Sequence, residues 1–174
     1  MEKRNRLAIF ASGNGTNAEA IMTYFQRHKT VQVAVLMSNN PDAFAIKRAR
    51  KFDVPYRVFS KQQFTESGEV LNWLKEFEVT HIALAGFLWL LPENLVQAFP
   101  SHIINIHPSL LPKFGGRGMY GIKVHEAVQA SREKETGLTI HLVNAHYDEG
   151  EILKQVSCQI APADTPREIA AKVN

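Results

Sequence analysis

Apolar positions along the chain follow two spacings that alternate. "RLAIFAS" (6–12) is a short unbroken apolar run closed by Ser-Gly, which predicts a buried strand. In "TNAEAIMTYFQRH" (16–28), Ala18, Ile21, Met22 and Phe25 recur at helical spacing, with Thr16 or Asn17 as the cap. "VQVAVLMSN" (31–39) predicts a second strand, and "PDAFAIKRARKF" (41–52) a second helix with Pro41 near its start. "YRVFS" (56–60) is a third strand. Residues 61–77 set Val70, Leu71, Leu74 and Phe77 on one helical face. "THIALAGF" (80–87), "PENLVQAF" (92–99) and "HIINIH" (102–107) then read as strand, short helix and strand.

Strand and helix thus alternate from residue 6 to 107. That order predicts an α/β fold with a doubly wound, mostly parallel, Rossmann-like sheet carrying helices on both faces. The pattern then changes. "PSLLPKFGGRGMYG" (108–121) is loop-like, and a helix is expected near 119–131. "GLTIHLVN" (137–144) and "EILKQVSCQI" (151–160) predict a C-terminal two-stranded extension around "AHYDEG". "DTPREIAAKVN" (164–174) opens a last helix, with Asp164 or Thr165 as cap and Pro166 at its first position. No repeat, linker or low-complexity segment interrupts this order. The reading is therefore one domain over 1–174, expected to be truncated within its C-terminal helix.

Composition narrows the class. Of 174 residues, 45% are apolar and 21% charged, enough for a substantial soluble core. The formal net charge is +3, with basic residues gathered only in the short "EKRNR" and "KRARK" stretches. That suits a small anionic substrate and supports no nucleic-acid partner. Cys158 is the only cysteine, so no internal disulfide forms and a reducing, cytoplasmic setting is expected. No apolar stretch approaches the roughly 18–20 residues of a membrane span. Monomer and homodimer both stay open.

In a doubly wound sheet, ligands bind beyond the carboxyl ends of the strands. The loop after the first strand, "GF" (86–87) and "NIHPS" (105–109) all fall there. Gly13-x-Gly15-x-x-Ala18 matches a relaxed dinucleotide fingerprint, but "SNN" (38–40) stands where an acid should hold a ribose. What remains is a nest of backbone N–H groups at a helix start, with the Ser12, Thr16 and Asn17 side chains. It suits one phosphate without metal; the alternative is an ordinary tight turn. Asn105 and His107 share strand parity, Pro108 fixes the turn after them, and Asp148 lies on the "HYDEG" loop. A lone histidine at a strand end is usually structural. With an amide and a carboxylate beside it, the set suits attack on a carbonyl: donors for an oxyanion, a group that moves a proton, and an acid that raises the histidine. His102, His107, His141 and His146 lack metal-ligand spacing.

"SGNGTN", "LAGFLWLLP", "NIHPSLLPKF" and "GLTIHLVNAHYDEGEIL", in this order and spacing, closely resemble the phosphoribosylglycinamide formyltransferases (glycinamide ribonucleotide transformylases). These belong to the folate-dependent formyltransferase superfamily and serve de novo purine biosynthesis. The resemblance implies transfer of a formyl group from 10-formyltetrahydrofolate, as co-substrate, to the amine of glycinamide ribonucleotide, without metal. It implies a catalytic trio of Asn105, His107 and Asp148, with His107 protonated against the oxyanion. Gly13, Asn14, Gly15, Thr16 and Asn17 would hold the phosphate, with Gly86 and Pro108 along the ribonucleotide wall. Leu88, Trp89, Leu90 and Leu91 would line the folate pocket, and Ala145, His146 and Tyr147 would fold over the pterin. Three departures stand out. The "KFGGRGMYGIKVHEAV" loop is richer in glycine than in many relatives. Trp89 replaces an arginine, and Lys61 is the nearest substitute for another. Relatives also continue past "AAKVN" to an acid near the ribose. The alternatives are a formyltetrahydrofolate hydrolase using water, a methionyl-tRNA formyltransferase needing an RNA-binding domain, and a silent phosphate- or folate-binding module.

Overall fold

A computed structural model of the chain describes residues 4–173, so Glu2 and Lys3 of the basic start and the terminal Asn174 lie outside the described residues. Two compact units divide at Ile103/Ile104. Within the first unit the strands lie in the order Tyr56–Val58, Val31–Ser38, Asn5–Phe10, His81–Leu84, and within the second in the order Ile103–His107, Glu135–Leu142, Ile152–Gln159.

The first unit holds β1 (Asn5–Phe10), α1 (Thr16–Phe25), β2 (Val31–Ser38), α2 (Phe44–Lys51), β3 (Tyr56–Val58), α3 (Lys61–Thr65), α4 (Glu69–Glu76), β4 (His81–Leu84) and α5 (Glu93–Ala98). β1 is parallel to β2 on one side and to β4 on the other, while β2 is parallel to β3. A central parallel strand is covered on both faces, which explains why 6–12 reads as continuous apolar sequence. Ala8, Ile9, Phe10 and Ala11 are fully buried there. Leu36, Met37, Ile82 and Leu74 complete the core around them.

Several boundaries differ from those the sequence predicts, and three in this unit have a clear local reason. The segment 61–77, read from one helical face of Val70, Leu71, Leu74 and Phe77, holds two helices, because Gly68 takes a left-handed φ of 69° between them. Ser60 and Gln63 form a reciprocal capping box that starts the first. α2 begins after Pro41 rather than at it: the Asn40 side chain accepts the Asp42 N–H at 3.0 Å in a turn that takes up those residues. α1 is preceded by Gly15, not capped by Thr16 or Asn17, and no side chain caps it.

The second unit holds β5 (Ile103–His107), α6 (Ile122–Ala130), β6 (Glu135–Leu142), β7 (Ile152–Gln159) and α7 (Pro166–Val173). β6 is antiparallel to both β5 and β7. Its register sets Asn105 opposite His141 and His107 opposite Thr139. Gly118 and Gly121, at φ 87° and 55°, delay α6 past the expected residue 119. Thr165 caps α7 as expected, and Glu168 reaches back to its N–H at 2.7 Å. Val128, Ile160 and Ile169 form a small core with Phe114 packed on it. Among the described residues, no helix is long and apolar enough to cross a membrane.

Candidate active site

In the second unit, β5, β6 and two loops bring four polar side chains together. Asp148 lies on the β6–β7 loop at φ 55°, with its side chain only 9% exposed. Its Oδ2 accepts the Gly116 N–H at 2.9 Å and stands 3.5 Å from His107 Nδ1. Its Oδ1 accepts from Asn105 Nδ2 at 3.3 Å and stands 3.5 Å from His141 Nε2. One buried carboxylate thus sits between two buried imidazoles.

Neighbouring acceptors assign the ring protons. His107 Nε2–H donates to the Phe114 carbonyl at 2.8 Å, so Nδ1 carries the lone pair toward Asp148. His141 Nδ1–H donates to the Leu142 carbonyl at 2.8 Å, and its Nε2 accepts from Asn105 Nδ2 at 3.0 Å. Both amide protons of Asn105 are therefore engaged, one by His141 and one by Asp148.

Burial is the largest influence on His107 and lowers its pKa; the Asp148 charge and the Phe114 carbonyl oppose it without prevailing. This corrects the expectation of a raised, protonated His107. For Asp148, burial is again the largest influence and pushes upward. The two neighbouring imidazoles, His141 first and then His107, and the Gly116 N–H together outweigh it and hold the carboxyl below its ordinary range.

The turn after His107 is fixed from beneath. Thr139, fully buried, donates to the Ser109 carbonyl at 2.7 Å and accepts the Leu111 N–H at 3.0 Å. Gln155 clamps the Leu111 carbonyl at 2.9 Å, and the Ser109 hydroxyl donates to the Lys113 carbonyl at 2.8 Å. Pro108 sits half-buried within this turn, whose Leu111–Pro112 bond is cis. Gly115 packs against Asp148, where an added Cβ would lie 3.3 Å from the Asp148 Cβ. Ala145, His146 and Tyr147 are exposed on the loop leading into Asp148.

The first unit carries the glycine-rich turn. Gly15 has φ 73°, and a Cβ added to it would come within 2.5 Å of the Ala45 Cβ. The first-turn amides of α1 have neither intrahelical partners nor a side-chain cap. Thr16 is exposed and Asn17 half-buried at this end. Ser12 is used internally, its Oγ accepting the Leu88 N–H at 3.0 Å. Gly13 accepts the Ala45 N–H at 3.1 Å, and Asn14 is held by Arg48. Gly86, at φ 75°, accepts the Ser12 N–H at 3.1 Å.

The residues after β4 differ from one another. Leu88 is 44% exposed, whereas the Leu91 side chain is buried in the core. Leu90 is half-buried. Trp89 joins an aromatic cluster, 5.7 Å from Phe64 and 6.1 Å from Phe59, and the Lys61 ammonium lies 4.6 Å over its ring. In the sequence His141 stands out only as one of four histidines without metal-ligand spacing. The only signal for it is antiparallel register with Asn105, which needs the fold.

Among the described residues, no group of three or more His, Cys, Asp or Glu is arranged to hold a metal ion. A family model described as formyl transferase matches residues 5–174. The chloroplastic phosphoribosylglycinamide formyltransferase of Arabidopsis thaliana is 42% identical over 98% of the chain and 61% of that protein. The phosphoribosylglycinamide formyltransferase of Bacillus subtilis (strain 168) is 35% identical over 97% of the chain and 87% of that protein. A crystal structure of the enzyme so named from Anaplasma phagocytophilum matches with a TM-score of 0.88 and 31% identity, over 98% of this chain and 80% of that one. The chain spans 61% and 56% of the two plant relatives' own length. With a matching model over nearly its whole length and a matching fold, the chain belongs to the formyl transferase family.

Proposed function

We propose that the chain transfers the formyl group of 10-formyltetrahydrofolate to the amine of glycinamide ribonucleotide. The observation that carries this reading is the buried Asp148 carboxylate between His107 and His141, with Asn105 held against it. The uncapped, glycine-rich start of α1 supports a phosphate-bearing acceptor. The names of the relatives support phosphoribosylglycinamide as the formyl acceptor. The lone Cys158 supports a reducing, cytoplasmic setting.

The chemistry follows from the protons. An amine of α-amino type titrates near 7.7–8.0, so roughly a tenth or more is free base at neutral pH. Its nitrogen attacks the formyl carbon, and the carbonyl oxygen takes the negative charge. His107, kept neutral by burial, receives the amine proton at Nδ1, where Asp148 Oδ2 steadies the new imidazolium. Asn105 donates to the oxyanion with the N–H released from its longer bond, the 3.3 Å one to Asp148. His107 then passes its proton to the departing folate nitrogen as the carbon–nitrogen bond breaks. Proton count and charge balance with no covalent enzyme intermediate. Leu88, Trp89 and Leu90 supply folate-facing surface in the first unit, whereas Leu91 is buried in the core and is not part of it.

The test is loss of the formyl group from 10-formyltetrahydrofolate with glycinamide ribonucleotide and with buffer alone. Loss only with the ribonucleotide, yielding its formyl derivative, is expected. Equal loss in buffer means hydrolysis instead, and no loss in either overturns the transferase reading for this chain.

A further inference from the structure

We propose that Arg48 is the positioning residue of the phosphate turn, holding its shape and cancelling a carboxylate that would repel the ligand. The inference rests on the ribonucleotide reading above and concerns the same end of α1. Arg48 Nε donates to the Asn14 carbonyl at 2.8 Å, and Nη2 donates to Asn14 Oδ1 at 3.0 Å. One planar guanidinium thus grips both the main chain and the side chain of a single loop residue, a fork a lysine cannot make. Nη1 donates to Glu19 Oε2, and Lys51 Nζ reaches Glu19 Oε1 at 3.3 Å. The guanidinium packs over the Phe44 ring at 4.9 Å, and the side chain is only 18% exposed. Its geometry is therefore set before any ligand arrives.

Glu19 explains why a cation is needed here. It lies in the first turn of α1, where a carboxylate favours the helix but opposes a bound anion at the same end. Arg48 and Lys51 bracket it, so its charge is met from the α2 side. At the same time the Asn14 grip holds the turn whose next residue, Gly15, sits against Ala45 of α2. Arg48 touches neither reacting atom in this scheme. It acts through Asn14 and Glu19.

Ribonucleotide binding measured by calorimetry without folate, together with steady-state rates, tests the proposal. Arg48→Met is expected to weaken binding and raise the ribonucleotide KM by about tenfold, the size of one charged hydrogen bond. kcat and the folate KM should stay within about twofold, because this loss falls on ground-state binding of one substrate. Arg48→Met combined with Glu19→Gln should recover part of that loss, since the unmet carboxylate is gone while the Asn14 grip is not restored. Arg48→Lys should fall between wild type and Arg48→Met. Wild-type affinity in a folded Arg48→Met chain, or a fall in kcat at unchanged KM, overturns the proposal. If Arg48→Met fails to fold, Arg48→Lys decides, and unchanged affinity there overturns it equally. A wild-type chain that binds no ribonucleotide overturns the functional reading instead.

Discussion

Asn105 Nδ2 lies 3.0 Å from His141 Nε2, across the register pair that joins β5 to β6. Because His141 Nδ1–H is committed to the Leu142 carbonyl, its Nε2 can only accept, which fixes the Asn105 amide with its nitrogen toward Asp148. His141→Ala removes that lock and leaves a buried donor without its partner, a loss of about 1–3 kcal/mol. The expected result is a lower denaturation midpoint and a kcat reduced about tenfold or more, with ribonucleotide KM little changed. Wild-type turnover in this variant would show that the amide holds its orientation without His141.

His107→Gln removes the nitrogen that receives the proton and keeps a polar group of similar size. A positioned acid–base group contributes about 10²–10⁴-fold to rate, and kcat should fall by that order while KM values move little. A KM effect with normal kcat would assign His107 to binding.

The pH dependence has a definite sign. Burial lowers His107 below 6.5, so its base form persists into mildly acid solution, and the acid limb of kcat should fall below pH 6.5. The Asp148 charge acts to raise His107, so Asp148→Asn should move that limb to still lower pH while reducing the maximum rate. Stability follows the same group. The unfolded chain protonates His107 near 6.5 while the folded chain resists, so stability is present above 6.5 and declines as pH falls toward the folded value. His81 and His125, also lowered chiefly by burial, add with the same sign. Asp148 acts further down: its contribution is present above its ordinary value near 3.8 and is lost as pH falls through its lowered one. Denaturant midpoints at pH 7.5 and 5.5 check the histidine part, and equal midpoints would contradict it.

The strand-and-helix order was legible because its signal is local. Ala8–Ala11 are buried on both faces and read as an unbroken apolar run, while Val70 and Leu74 repeat at helical spacing. The parity of Asn105 and His107 needed only the period of a strand, and their meeting with Asp148 follows it. What was not legible depends on non-local partners. His141 matters through antiparallel register, and the neutral state of His107 depends on a balance between burial and charge that no motif encodes. The partners of Asn105 were hidden for the same reason, since its amide protons meet acceptors 36 and 43 residues away. At Gly68 the failure was local: the helical spacing of Val70, Leu71, Leu74 and Phe77 begins only after that left-handed residue, and nothing in it separates the turn before from the helix after.

Gly15 carries two separate constraints, and variants can divide them. Its φ of 73° costs an L-residue roughly 1–2 kcal/mol. A Cβ there would also stand 2.5 Å from the Ala45 Cβ and 2.7 Å from the Ala45 Cα, and overpacking of that kind costs typically 1–3 kcal/mol. Gly15→Ala is thus expected to lower unfolding free energy by about 2–5 kcal/mol and to raise the ribonucleotide KM, since the first-turn amides shift with it. Adding Ala45→Gly deletes one of the colliding atoms, but the Cα belongs to the α2 backbone and stays. Glycine within that helix itself costs about 1 kcal/mol. The double variant should therefore regain little stability, while recovering part of the KM change if loop displacement is its cause. Denaturant unfolding and ribonucleotide titration of the four combinations separate the two constraints. A Gly15→Ala chain as stable as wild type would mean that α2 can retreat from the turn, and the close approach of Ala45 would then not be what requires glycine.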